Sequence, residues 1–71
     1  MKLITTEDRR DIRVSIQKTN KAEFLNYTIS FFPKNQKHLQ FQVSDYFMTL
    51  EFSDNLTDCV TYINDRIKKG I

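Results

Sequence analysis

The chain has 71 residues, with 11 Lys and Arg against 9 Asp and Glu, and it contains one Cys, one His, one Gly and no Trp. This length allows a single domain, which we predict to span residues 1–71, and it excludes a multidomain enzyme. A lone Cys forms no internal disulfide, and one Cys with one His provides too few ligands for a structural zinc site.

Apolar runs in the sequence are only a few residues long, so we expect no segment to span a membrane. The opening residues 1–4 lack the apolar stretch of a secretory signal. A single unpaired thiol is typical of a reducing compartment. We therefore predict a cytoplasmic protein without a membrane partner.

The first eleven residues are compatible with two structures. Lys2–Thr5 has the composition of a short edge strand, whereas Thr5 and Asp8 have the spacing of a box that caps a turn of helix. The sequence does not decide between them.

Alternating apolar and polar residues predict four β-strands, because side chains at every second position of a strand lie on the same face. In the first of these strands Ile12, Val14 and Ile16 alternate with polar residues. Turn-forming residues follow the first strand at 19–21 and the second at 33–36. The four predicted strands cover about residues 11–18, 24–32, 38–43 and 46–52.

Between the third and fourth strands the apolar residues change from odd to even positions at Ser44-Asp45. A two-residue hairpin loop there would pair Val43 with Tyr46 and Phe41 with Met48. Because Ser-Asp is not a favoured pair for such a tight turn, a β-bulge is the alternative explanation.

The last third of the chain changes to a helical period. We predict an amphipathic helix over about residues 54–69, with its N-cap at Ser53, Asp54 or Asn55 and Gly70 just beyond its end. The apolar side chains that share one face of this helix are Leu56, Cys59, Val60, Ile63 and Ile67.

These elements predict an α+β fold, in which an antiparallel four-stranded β-meander carries one C-terminal helix on its apolar face. A sheet of four strands is about 19 Å wide and a helix about 10 Å across, so one helix covers only part of that face. We expect the uncovered apolar surface to form a homodimer interface. The alternative is a monomer in which sheet twist and the N-terminal segment close the gap.

The residues that carry chemistry predict no enzyme, no cofactor and no metal site. His38 lies in a predicted turn and Cys59 on the predicted buried face of the helix, so they form no catalytic dyad. Asp54 and Asp58 are one helical turn apart, but no calcium-binding loop surrounds them. The single Gly70 excludes a glycine-rich phosphate loop.

A neutral polar sheet face interrupted by aromatic residues is typical of a protein interface, whereas a solvent face would usually carry Lys and Glu. We therefore predict a small non-enzymatic binding or regulatory module, an adaptor or an inhibitor, which acts through contact with an unidentified protein. The residues predicted to bind this partner are Phe24, Phe32, Phe47, Gln40 and Gln42.

Charge is distributed unevenly along the chain. Residues 1–38 carry eight Lys or Arg and four acids, a balance of +4, whereas residues 39–71 carry three and five, a balance of −2. A basic groove with exposed aromatic residues is how proteins hold single-stranded nucleic acid, so nucleic acid is the alternative partner, although a net charge of +2 is low for it. This alternative uses the basic first two strands and the Pro33–His38 turn, and the basic residues predicted for it are Arg9, Arg13, Lys34 and Lys37.

Overall fold

A helix precedes a four-stranded β-meander and a second helix follows it in the computed structural model, which describes residues 2–70. The strands form one antiparallel sheet in the order β1-β2-β3-β4. The predicted α+β fold, with its meander and C-terminal helix, is confirmed. The elements are α1 (Thr6–Thr19), β1 (Lys21–Phe24), β2 (Tyr27–Phe31), a 3-10 turn (Lys37–Leu39), β3 (Phe41–Ser44), β4 (Thr49–Ser53) and α2 (Leu56–Lys69).

The predicted first strand at 11–18 is wrong, because this segment belongs to α1. The side chain of Thr5 accepts a hydrogen bond from the Asp8 backbone N–H (3.2 Å), and the Asp8 carboxylate accepts one from the Thr5 N–H (3.1 Å). This capping box satisfies backbone donors that would otherwise be free at the start of the helix. The helix ends at Asn20, whose φ of 61° is left-handed. The helical alternative for the N-terminal residues is therefore confirmed, and residues 2–5 form no strand.

The predicted second strand at 24–32 corresponds to β2, and β1, which lies mostly before it, was not predicted. A turn at Leu25-Asn26 separates β1 from β2, so this hairpin supplies two of the four strands. Leu25 adopts a φ of 54°, which an L-residue rarely takes, and neither turn position carries the glycine that would have marked the turn in the sequence.

Both explanations of the change in alternation at Ser44-Asp45 are partly right. The connection from β3 to β4 is a loop of residues 45–48 rather than two residues, so the predicted pairs of Val43 with Tyr46 and Phe41 with Met48 are wrong. A bulge lies beside Ser44, and it changes which side chains of β4 share a face. Phe41 instead pairs with Ser53.

The C-terminal helix α2 is confirmed, with a start two residues later than predicted. Asn55 is the N-cap, and its side chain accepts a hydrogen bond from the Asp58 N–H (2.8 Å). Gly70 ends the helix with a φ of 74°, a conformation that glycine adopts without strain. Cys59, Val60 and Ile63 are buried on the predicted apolar face.

Two helices, not one, cover the sheet. Both contact the same layer, α1 against β1 and α2 against β3 and β4. The prediction that part of the apolar sheet face stays uncovered is therefore wrong, and the packing argument for a homodimer is wrong with it. The alternative, in which the N-terminal segment covers the rest of this face, describes the core. The buried apolar residues are Ile4, Ile12, Ile16, Ala22, Tyr27, Ile29, Val43, Cys59, Val60 and Ile63.

Within residues 2–70, the opposite face of the sheet carries no α-helix and is mainly polar. Lys21, Ser30, Gln42 and Phe52 lie side by side across its four strands. Leu50 and Phe52 are two residues apart and would share a face in a regular strand, but the bulge places the two side chains on different faces, and only Leu50 packs against the core.

No helix within residues 2–70 combines the length and the apolar character that crossing a bilayer requires.

Candidate functional site

Two chain reversals lie at the same end of the sheet. In a meander the first and third connections are at one end and the second is at the other, so the Leu25-Asn26 turn adjoins the 45–48 loop. The midpoints of these hairpins are two strand spacings apart, about 10 Å. The four most exposed large hydrophobic side chains within residues 2–70 all lie here, and we call them the apolar end: Leu25, Tyr46, Phe47 and Met48.

Phe47 is 90 % exposed and Tyr46 is 80 % exposed, yet the loop that carries them is fixed by hydrogen bonds. The Asp45 carboxylate accepts hydrogen bonds from the N–H groups of Phe47 (2.8 Å) and Met48 (2.9 Å), and the Asp45 N–H donates to the Met48 carbonyl (3.0 Å). The same N–H groups, with a smaller contribution from Arg66, lower the pKa of Asp45 below its usual value. At neutral pH this carboxylate is charged and holds the aromatic side chains out of the sheet.

Behind the loop, Arg66 of α2 contacts two tyrosines. Its guanidinium lies over the Tyr62 ring, 5.8 Å from the centroid, and donates a hydrogen bond to the Tyr62 hydroxyl (3.4 Å). Hydrogen bonding to Tyr27 and then to Tyr62 raises the pKa of Arg66. Since Tyr27 is buried, this cluster ties the loop end of the sheet to α2.

Leu25 gives the apolar end a strained residue, and we predict that Leu25→Gly raises the free energy of unfolding by about 0.5–1 kcal/mol. Glycine adopts a positive φ without steric strain, and the exposed Leu25 side chain contributes little packing to lose. Asn26→Gly is the matched control, because Asn26 has no positive φ and glycine there only loosens the chain, which should lower stability. Urea unfolding followed by circular dichroism measures both; equal losses would contradict the strain.

The two residues considered for a catalytic dyad, His38 and Cys59, lie in different environments. His38 is exposed in the 3-10 turn, whereas Cys59 is buried in α2. Burial first, and then the nearby charges of Asp58 and Glu51, raise the pKa of the Cys59 thiol to about 12, so it is protonated and unreactive at neutral pH. Within residues 2–70 there is no group of three or more His, Cys, Asp or Glu residues placed to hold a metal ion.

Comparison of the chain with protein-family models, with curated proteins and with solved structures found no match. Function is therefore inferred from the exposed side chains, the charge distribution and the hydrogen bonds.

The five residues predicted to bind a protein partner do not lie together. Phe47 is in the apolar end. Phe32 and Gln40 lie at the other end of the sheet, where the Phe32 N–H donates to the Gln40 carbonyl (2.7 Å). Phe24 is directly opposite the buried Tyr27 and packs against the core on the helix side, so its predicted outward orientation is wrong.

The two predicted glutamines have structural partners. The Gln40 side-chain amide donates to the Pro33 carbonyl (3.1 Å), which fixes the connection before β3. The Gln42 amide lies on the open face of the sheet and donates to the Thr49 hydroxyl (3.0 Å). Their hydrogen bonds give both side chains a role within the sheet.

Three of the four residues of the apolar end were not among the predicted partner-binding residues. Tyr46 and Met48 continue the apolar alternation of the following strand, and Leu25 continues that of the second strand, so all three were expected to face the core. The available signal was Asp45, since an Asp side chain that bonds the N–H groups two and three residues later starts a turn.

The basic residues predicted for nucleic acid separate into two groups. Arg9 and Arg13 line one depression of about 410 Å³ on α1, together with Arg10. Lys34 lines another, of about 470 Å³, beside the C-terminal end of α1, and Lys37 is exposed in the 3-10 turn. The structure therefore brings Arg9 and Arg13 together but does not join them to Lys34 and Lys37.

Proposed function

We propose that this chain is a non-enzymatic protein-binding module whose apolar end docks into an apolar depression on another protein. The observation that carries the proposal is the 45–48 loop, where Tyr46, Phe47 and Met48 are all exposed on a turn fixed by Asp45. Burying one such side chain yields about 1.5–3 kcal/mol, so three adjacent ones provide a large share of a stable interface. Tyr, Phe and Met are also enriched at protein interfaces.

The positive φ of Leu25 supports the same surface. A leucine in a left-handed turn position destabilises the fold slightly, and its side chain is exposed and gains little packing in return. Local strain of this kind clusters at ligand-binding sites. Its position beside the 45–48 loop extends the apolar surface across two hairpins.

Charge defines the partner more closely. Residues 39–65 contain no Lys or Arg, Asp45 begins the loop that carries the exposed aromatic residues, and Glu51 lies in the strand that follows it. The partner is therefore a protein whose apolar depression has a basic rim, because complementary charge around an apolar centre orients and speeds docking. An anionic membrane surface would be repelled by the same acids.

Docking of this kind fits either an inhibitor, which fills a depression that another ligand needs, or an adaptor, which links the partner to a second protein. A second copy of the chain is a weaker candidate. The homodimer stays a prediction without its packing argument, and light scattering that gives an 8.5 kDa particle would remove it.

The experiment compares Phe47→Ala with Phe32→Ala as baits in affinity capture from nuclease-treated extract of the source cell. Both variants remove one exposed phenyl group, but at opposite ends of the sheet. We expect Phe47→Ala to weaken binding of the captured protein at least about 10-fold, as loss of an interface anchor does, and Phe32→Ala to bind like wild type. Titration with the purified partner measures the affinities.

Circular dichroism provides the folding control. Phe47 is 90 % exposed, so Phe47→Ala should keep its free energy of unfolding within about 0.5 kcal/mol of wild type, whereas Phe32 is 41 % exposed and Phe32→Ala should lose more stability. A partner that binds the Phe47→Ala variant with wild-type affinity, or the absence of any protein captured by wild type but not by this variant, would contradict the proposal.

A further inference from the structure

One face of α1 carries three arginines and no acid. At 100° per residue, positions 6, 9, 10, 13 and 17 fall within an arc of about 100°. The three acids of this helix lie outside that arc, and Asp8 and Asp11 line a separate depression between α1 and β1. We call the residues of this arc the basic face: Thr6, Arg9, Arg10, Arg13 and Gln17.

Two of these guanidinium groups have no partner in the fold. Arg9 donates a hydrogen bond to the Thr57 hydroxyl of α2, which anchors it between the helices. Within residues 2–70, Arg10 and Arg13 make neither a hydrogen bond nor an ion pair. Like charges three and four residues apart on a helix repel one another, so this arrangement is stabilised when an anion lies across it.

The shape of the basic face excludes an enclosed small ligand. Its depression of about 410 Å³ is lined only by Thr6 and the three arginines, all from one helix, with no opposing wall. A surface of this form suits an extended anion. From Arg9 to Arg13 the helix rises about 6 Å, so the guanidinium groups follow a line along which successive phosphates can be contacted.

The composition of the face separates nucleic acid from other anionic partners. A protein interface needs an apolar centre and a membrane-binding helix needs inserted apolar side chains, and the basic face offers only arginines, a hydroxyl and an amide. Arg, Thr and Gln are among the side chains that contact phosphate oxygens. We infer that the basic face of α1 binds the phosphate backbone of nucleic acid.

The basic face does not distinguish one base from another. The exposed aromatic residues that could stack on bases belong to the apolar end, to Phe32 and to the open face of the sheet, not to the basic face. The acids Glu51, Asp58 and Asp65 line a depression between β4 and α2 and repel phosphate there. A nucleic acid is therefore held at α1 through contacts to its phosphates, and both single strands and duplexes bind.

The test is fluorescence anisotropy of a labelled single-stranded oligonucleotide and its duplex, titrated with the full chain between about 50 and 200 mM salt. Three phosphate contacts predict a slope of log affinity against log salt of about −2 for the single strand and about −3 for the duplex. Across this range the affinity for the single strand should fall about 16-fold. A wild-type chain that fails to bind at the lowest salt overturns the inference.

The decisive comparison is Arg10→Ala with Arg13→Ala against Lys34→Ala with Lys37→Ala. Each double variant removes two positive charges from exposed positions, so net charge changes equally. We expect the arginine variant to reduce the single-strand slope to about −0.7, and the lysine variant to keep it near −2. Equal losses in both variants would show that net charge alone is responsible, which overturns the inference.

Two further controls separate this surface from the apolar end and from acidic proteins. Phe47→Ala should bind oligonucleotide like wild type, so failure of protein capture and failure of nucleic-acid binding are distinguishable. Polyglutamate at the same concentration of charge should displace little oligonucleotide. Displacement equal to that by unlabelled oligonucleotide would identify an acidic protein as the ligand and overturn the inference.

Discussion

Replacing Ile12 by alanine should lower the free energy of unfolding by about 2–5 kcal/mol. Ile12 is 4 % exposed and lies in the core beneath α1, so the substitution removes buried methyl groups and leaves a cavity. The total stability of a domain of 71 residues is about 4–10 kcal/mol, so this one change removes a large part of it. Alanine is a better helix former than isoleucine, so the loss reports packing rather than helix propensity.

Val14→Ala is the matched control, because Val14 lies two residues away and is 41 % exposed. In a strand, Ile12, Val14 and Ile16 would share one face and both substitutions would cost stability. In α1 only Ile12 and Ile16 face the core, so Val14→Ala should change stability by less than about 0.5 kcal/mol. Urea unfolding followed by circular dichroism suits a chain without Trp, and similar losses for both variants would contradict the helix.

Ile12, Val14 and Ile16 also explain why the sequence predicts a strand at 11–18, where the structure has a helix. Ile12 and Ile16 are four residues apart, a spacing that belongs to both a strand and a helix, and Val14 completes the alternation that favours the strand. The capping box at Thr5 and Asp8 pointed to the correct structure. Taken alone, this box predicts only a single turn of helix, because the alternation over the following residues favours a strand.

The turn at Leu25-Asn26 was beyond prediction for a different reason. The usual sequence signal of a tight hairpin is Gly or Asn at the position with positive φ. Here that position is occupied by Leu25, which continues an unbroken alternation of apolar residues. Because Leu25 is one of the four residues of the apolar end, the sequence also did not predict this part of the candidate site. Phe47 was predicted correctly as an outward residue because it fell out of phase with Tyr46 and Met48.

The segments predicted best are those in which only one period fits. The apolar residues of α2 have no strand alternation, and the Asn55 and Gly70 caps bound the helix.

The uneven distribution of charge along the chain also corresponds to separate charged surfaces in the structure. The unpaired arginines lie on α1, while Glu51, Asp58 and Asp65 line the groove between β4 and α2. The two proposed surfaces, one for phosphate and one for a protein with a basic rim, rest on this uneven distribution of charge.

Asn64→Ala should lower the free energy of unfolding by about 1–3 kcal/mol, because Asn64 ties the N-terminal residues to α2. Its side-chain oxygen accepts a hydrogen bond from the Ile4 N–H (2.8 Å), and its amide donates to the Ile4 carbonyl (3.5 Å). Ile4 is buried and directly precedes the Thr5 cap of α1. Without Asn64, two backbone groups in a partly buried position lose their partners.

Thr61→Ala is the control for this substitution, since Thr61 is exposed in the same helix and also becomes alanine. Its effect should be within about 0.5 kcal/mol. Hydrogen exchange gives a second measurement. The Ile4 amide should exchange faster in Asn64→Ala than in wild type, and the start of α1 should lose protection with it, because the cap at Thr5 depends on the position of Ile4. Unchanged protection at Ile4, together with a stability equal to that of Thr61→Ala, would mean that burial of the Ile4 side chain holds this segment without the hydrogen bonds. The N-terminal tie would then be apolar, and the cover that α1 gives the sheet would depend on the buried side chains of Ile4, Ile12 and Ile16.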